Sequence, residues 1–276
     1  MSGIGVSDVL LDWQLDPAAA VGLTAAAVAY ARGVRRLARR GRRWPAGRSL
    51  CWALALLPGV VATQSGIGRY DTQRFTIHMV QHLLLGMVVP FAGVCAAPLT
   101  LALQSGGPGT RRVLRSALRS RWGRVLSHPV VTWVLFGGGL AVVYLTPVLT
   151  ISAHNAAVHL LVHAHLLVSG SLFLAGLVGS DPSPRPLPFA GRLLSALTAV
   201  PFHAFLGLAL LSAAAPLAPS VYPSLSDQRT AAGLLWGMGE LFTLAVAAVV
   251  VRRWYVADQR EAGRADRRAD AAAAGA

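Results

Sequence analysis

Two histidine pairs recur at helical spacing in this sequence. His78 and His82 stand in Ile77-His78-Met79-Val80-Gln81-His82, and His159 and His163 in Val158-His159-Leu160-Leu161-Val162-His163-Ala164-His165. Residues four apart share one face of a helix, about 6 Å apart along its axis, so each pair is able to ligate a single ion. His165 points well away from His163. Imidazole nitrogen suits copper, zinc, iron and nickel, and a thioether adds a preference for cuprous copper. Met79 and Met238 therefore enter as soft candidate ligands. Met79 follows His78 by one residue and points about 100° away around a helix, as a packing residue would. His203, in Pro201-Phe202-His203-Ala204-Phe205, and Glu240 each lie in the middle of an apolar run. An ionisable group there is costly and marks function by default. Glu240 has three readings: neutralising a cation, carrying protons, or sitting protonated in a hydrogen bond between helices. His154 falls at the edge of a run, where water reaches it. His128, between Ser127 and Pro129, fits a helix start.

Other chemistry finds little support. No nucleophile with a nearby base, phosphate-cradling glycine loop or carboxylate pair is recognisable, so the chain reads as a binding protein and not an enzyme. Cys51 and Cys95 lie in apolar runs without CxxC spacing and read as small core residues.

The elements that must position these histidines are apolar helices. The chain has 276 residues, is 54% hydrophobic and 13% charged, and has a mean hydropathy of +0.54. That is too apolar for one soluble core, so the surplus faces lipid. Apolar stretches near 17–32, 48–66, 74–97, 129–148, 154–179, 191–215 and 230–251 each approach the ~20 residues needed to cross a bilayer. The expected fold is an all-α, polytopic membrane bundle of about seven transmembrane helices over 1–255, followed by a disordered cytoplasmic tail over 256–276. No cleavable signal peptide is expected, because Asp8, Asp12 and Asp16 stand where a basic region would precede an apolar run.

Charge gives the orientation. The formal net charge is +14, and every basic residue apart from histidine is arginine. Arg35, Arg36, Arg39, Arg40, Arg42 and Arg43 fill the first loop, Arg111, Arg112, Arg115, Arg119, Arg121 and Arg124 the third, and Arg252, Arg253, Arg260 and Arg264 begin the tail. Alternate loops hold only Arg69, Arg74 and Arg229. This bias marks the arginine-rich loops as cytoplasmic and the arrangement as N-out, C-in. It also explains the positive charge without a nucleic-acid partner. Residues 98–127 read either as an amphipathic helix on the cytoplasmic surface or as a solvated basic loop. Pro90 is expected to bend the third span. Both histidine-bearing helices then run from outside to inside, which puts His78 near the depth of His159 and His82 near that of His163. His203 is expected at a depth compatible with His82 and His163.

These motifs resemble the polytopic CtaG family of cytochrome c oxidase assembly factors, which is distinct from the single-span copper-delivery protein sharing that name. The resemblance rests on His78-Met79-Val80-Gln81-His82 followed by Pro90 and Ala97-Pro98-Leu99-Thr100, and on His159 to His165 followed by Gly170 and Phe173. Asp181-Pro182, Pro201-Phe202-His203-Ala204-Phe205-Leu206-Gly207, and Asp227-Gln228 with Trp236 and Gly239-Glu240 complete it, over about 74–240. It implies a multi-pass plasma-membrane protein of a bacterium, needed to assemble a haem-copper oxidase of the respiratory chain by handling copper. By the same resemblance His78, His82, His159, His163 and His203 are the family's histidine positions and Glu240 its acidic one. Ala96 and Ala232 depart from it, standing where glycine is expected.

The leading expectation is a copper chaperone that binds a copper ion through transmembrane histidines and passes it to cytochrome c oxidase subunits, with an extracytoplasmic copper chaperone as a further partner. A bis-histidine haem b cytochrome is the second reading. A copper or proton transporter using Glu240 as a relay is the third. Asp227 and Gln228 read as an access point or as a helix cap.

Overall fold

The computed structural model describes residues 5–274. It is all-helical, with no strand among the described residues. Six helices are long and apolar enough to cross a membrane: Pro17–Arg39, Ala46–Tyr70, Phe75–Ser105, Ala156–Val178, Phe189–Leu211 and Leu225–Ala265. Counted as one broken span, the pair Pro129–Leu145 and Val148–His154, bent by 76°, makes a seventh. The chain is thus a multi-pass membrane protein. The bend falls at the end of the run expected over 129–148, and the helix beyond it, Val148–His154, was not expected. The break is at Thr146-Pro147, where Thr146 is extended (φ −132°, ψ 171°) and proline cannot donate to the preceding turn. We number the spans one to seven in chain order, counting the bent pair as the fourth.

Proline is accommodated differently in the third span. Leu84–Val88 winds as a π-helical turn just ahead of Pro90, with the Val89 N–H reaching back to the Leu84 carbonyl. One extra residue in the turn absorbs the missing proline donor. The fifth span, Ala156–Val178, closes on this spot through Gly170: a Cβ there would lie 2.1 Å from the Gly86 carbonyl oxygen. A second π-helical turn, Val134–Gly138, interrupts the fourth span, and Gly139 beside it leaves the room that His165 occupies.

Two aspartates tie the third span to distant segments. Asp227, at the start of the seventh span, accepts the Phe75 N–H at 2.7 Å and the Thr76 hydroxyl at 2.6 Å. Asp181, in the loop after the fifth span, accepts the Thr100 N–H at 2.7 Å and the Thr100 hydroxyl at 2.6 Å. The second lies just past Ala97, whose left-handed backbone (φ 52°) breaks the helix before Pro98. Both carboxylates fill orphan N–H groups at helix starts, where the helix dipole also favours negative charge. Asp227 does cap a helix, but the one it caps is the start of the third span and not the helix that carries it. Gln228 similarly accepts the Leu217 N–H and donates to the Leu210 carbonyl, holding the loop between the last two spans.

The arginine-rich segments gather at the Asp181 end. Arg40 and Arg42 reach the Gln104 backbone and side chain, and Arg253 reaches the Val178 carbonyl and the Ser180 hydroxyl. Residues 98–127 form three short helices, Pro98–Ser105, Pro108–Arg119 and Arg121–Leu126. The middle one is strongly amphipathic. The last helix continues from Leu225 to Ala274, carrying an alanine- and arginine-rich stretch of high helix propensity through the segment read as a tail.

Ala96 and Ala232 are fully buried. The close approach expected of a glycine at 232 is supplied from the opposite side by Gly207, whose added Cβ would meet the Ala232 carbonyl at 3.3 Å and the Trp236 Cβ at 2.7 Å.

Candidate metal centre

Four of the five expected histidines meet. His78 and His82, one turn apart on the third span, have ring centroids 3.9 Å apart, and His159 and His163 on the fifth span 4.2 Å apart. Across the two helices His78 faces His159 at 6.3 Å and His82 faces His163 at 5.6 Å, both edge-on. The equal-depth pairing read from the sequence is the pairing observed.

Asp71 completes the group. Its carboxylate oxygen stands 3.0 Å from His159 Nε2, and one ligand atom from each of Asp71, His159 and His163 lies within 4.8 Å of the others. Tetrahedral sites with bonds of about 2.0–2.2 Å keep their ligand atoms roughly 3.3–3.6 Å apart, so a small side-chain rotation brings these three onto one ion. These three residues are thus a group able to hold a metal. Asp71 follows the second span and is 4% exposed. The Tyr222 hydroxyl donates to its backbone carbonyl at 2.7 Å, and burial, with the nearby carboxylates of Asp71 and Asp227 adding, raises the pKa of that phenol and keeps it a donor.

The surrounding bonds orient the imidazoles. His82 Nδ1 pairs with the Tyr144 hydroxyl at 2.8 Å, and His163 Nε2 with the Gln81 side-chain oxygen at 3.1 Å. Gln81 is itself fixed, because its amide donates to the Ala62 carbonyl at 2.9 Å. Partners of this kind set ring orientation and tautomer in metal sites. Three nitrogens are left over: both of His78 and Nε2 of His82 are buried without a hydrogen-bond partner. A cleft of about 620 Å³, bordered by Gln14, Asp16, Asp71, Gln81, His154, His159 and His163, leads to the group from the end that carries Asp227.

The remaining candidates sit elsewhere. His203 is fully buried, but its ring packs against Phe136 and Phe202 and touches Gly239, apart from the other four imidazoles. The count along the sixth span put it level with His82 and His163, whereas it lies beside Met87, Phe173 and Leu174, further along the third and fifth spans than either. His165 turns to the fourth span and bonds the Leu135 carbonyl at 3.0 Å, inside the second π-helical turn. Met79 is fully buried in the apolar core, and Met238 is 48% exposed. Glu240 is half-buried and borders neither the cleft nor the cavity at His203. His154 is exposed and bonds the Thr150 carbonyl.

Three residues of the site were missed in the sequence. Asp71 sits seven residues ahead of His78, in the turn between the second and third spans, and is an acidic residue at the histidine end of the bundle. Gln81 and Tyr144 carry no metal-ligand signature of their own.

Comparison with known families gives the chain's membership. A family model described as cytochrome c oxidase caa3 assembly factor (Caa3_CtaG) matches residues 28–257, which include every histidine of the cluster as well as Asp71. The chain belongs to this family. Curated relatives include uncharacterized proteins of Mycobacterium bovis and Mycobacterium tuberculosis, each 34% identical over 281 residues, and one of Mycobacterium leprae, 31% identical over 274 residues. These alignments cover 96%, 96% and 94% of this chain but 42% of each relative, so the chain spans less than half the length of the curated relatives it matches. No solved structure matches it.

Proposed function

We propose that this caa3 assembly factor binds copper at the Asp71–His159–His163 group, with His78 and His82 behind it, and passes it to a cytochrome c oxidase under assembly. The observation that carries the reading is the set of buried nitrogens on His78 and His82 that no protein group satisfies. Leaving a buried polar group unpaired costs about 1–3 kcal/mol, and three such atoms at one cluster point to a ligand that satisfies them. Imidazole nitrogens suit copper, and the carboxylate at the mouth offsets its charge.

Copper in this account is cargo. The cleft leaves Asp71 and His159 at its edge, where an ion exchanges, and His78 and His82 deeper, where it is held. The arginine-rich end is then cytoplasmic and the histidine end faces outward in the plasma membrane, the side on which an extracytoplasmic copper chaperone and the oxidase copper centres are met. The protein delivers an ion and catalyses no reaction.

The haem b reading fits less well. A macrocycle held between one opposed pair would meet the other, because the His78 and His82 rings lie 3.9 Å apart and those of His159 and His163 4.2 Å apart.

The test is oxidase assembly in cells whose own gene is replaced by the His159→Ala/His163→Ala variant. The purified oxidase is expected to hold its haem and lack copper, and wild-type protein should restore it. Full copper occupancy with the variant would overturn the reading.

A further inference from the structure

His203 presents a second, separate problem. It is 0% exposed, and neither of its ring nitrogens has a hydrogen-bond partner. It borders a small cavity of about 10 Å³, the scale of one water or one bare ion, whose walls are Phe136, Phe173, Leu174, Phe242 and other apolar groups. The polar or soft groups on that cavity besides His203 are Met87 and Thr243. The Thr243 hydroxyl already donates to the Gly239 carbonyl at 2.8 Å. A water there would find two partners at most, fewer than buried waters ordinarily hold.

Both π-helical turns of the bundle converge on this place. Met87 lies within Leu84–Val88 and Phe136 within Val134–Gly138. On a regular helix Met87, five residues after His82, would stand about 140° round from it. A π turn closes after one more residue than an α turn and so brings Met87 back towards the His82 face. The third span then carries His78, His82 and Met87 in sequence down one side.

We infer that His203 and Met87 form a second soft-metal site, which takes a single cuprous ion deeper in the bundle than the Asp71 group. One neutral imidazole nitrogen and one thioether sulfur are donors that cuprous copper accepts, and neither loses a proton on binding. A monovalent ion carries the smallest charge into this apolar surround, which disfavours divalent zinc or cupric copper. The inference rests on the reading that the chain handles copper, but it concerns different residues.

The experiment is anaerobic loading of the detergent-purified protein with cuprous ion, followed by metal analysis and X-ray absorption. Wild type, Met87→Leu and His159→Ala/His163→Ala are compared. Leucine conserves volume, so Met87→Leu should fold. We expect two ions per chain in wild type with a sulfur scatterer among the ligands. Met87→Leu should bind one ion and lose the sulfur signal, while the double histidine variant should bind one ion and keep it. A wild-type protein that binds one nitrogen-ligated ion, unchanged by Met87→Leu, would overturn this site and leave the Asp71 group standing. A sulfur signal that survives Met87→Leu would likewise overturn the assignment to Met87. No bound ion in wild type would overturn both sites.

Discussion

The Asp71 carboxylate stands 3.0 Å from His159 Nε2, while the backbone carbonyl of the same residue accepts the Tyr222 hydroxyl. One residue thus carries two separable duties: its side chain faces the imidazoles and its main chain anchors the loop before the seventh span. Asp71→Asn removes the charge and leaves the anchor. Cuprous affinity, read by competition with a chromophoric chelator, should fall about 10–100-fold, the range for loss of a group that orients a metal-binding histidine. The melting temperature should change little. Unaltered affinity would reduce the pair to a structural contact.

The two aspartate caps at opposite ends of the third span separate stability from binding. Asp227→Ala and Asp181→Ala each strip hydrogen bonds from backbone N–H groups and from a threonine hydroxyl. Each should cost about 1–3 kcal/mol, seen as a lower unfolding temperature in detergent. Only Asp227→Ala loosens the turn that leads into His78, so only it should also weaken metal binding. Equal effects of the two on binding would contradict this division.

Gly170→Ala should force the third and fifth spans apart, because the added methyl would sit 2.1 Å from the Gly86 carbonyl oxygen. Both stability and metal content are expected to drop, since His82 and His163 face each other across that same helix pair. Gly176→Ala, six residues on, meets nothing within 4 Å and serves as the matched control. A Gly170→Ala protein with full metal content would show that the close approach is not needed to assemble the cluster.

His165 is expected to matter for the fold alone. Its imidazole bonds the Leu135 carbonyl in the interrupted stretch of the fourth span. His165→Ala should lower thermal stability by about 1–3 kcal/mol and leave the copper stoichiometry at the wild-type value. A lost ion in this variant would return His165 to the ligand set.

Much of this was legible in the residues. The i, i+4 spacing of His78/His82 and His159/His163 put each pair on one face, and the alternation of arginine-rich loops made both helices run the same way, which matched their depths. Six of the expected spans are single long apolar helices, as their length implied, and the seventh corresponds to the bent pair. What escaped depended on backbone that departs from the regular helix. The break at Thr146-Pro147 bends what reads as one apolar run, and the π turn before Pro90 re-aims Met87, which a fixed 3.6-residue period places elsewhere. Asp71 lies in a turn between two spans, where no periodicity assigns a side chain to a face. His203 was assigned by counting along an apolar run, which fixes neither level nor rotation, and its ring is held by Gly239 and Phe136 beside Met87, Phe173 and Leu174.

The central claim is that the facing imidazoles of the third and fifth spans hold copper. Its most direct test is the metal and haem content of detergent-purified protein after anaerobic loading with cuprous ion, comparing wild type with His82→Ala/His163→Ala. The account predicts retained copper and no Soret absorbance in wild type, and loss of the cluster-bound ion in an otherwise folded, membrane-inserted double variant. Unchanged copper stoichiometry in that variant, or haem without copper in wild type, would contradict it.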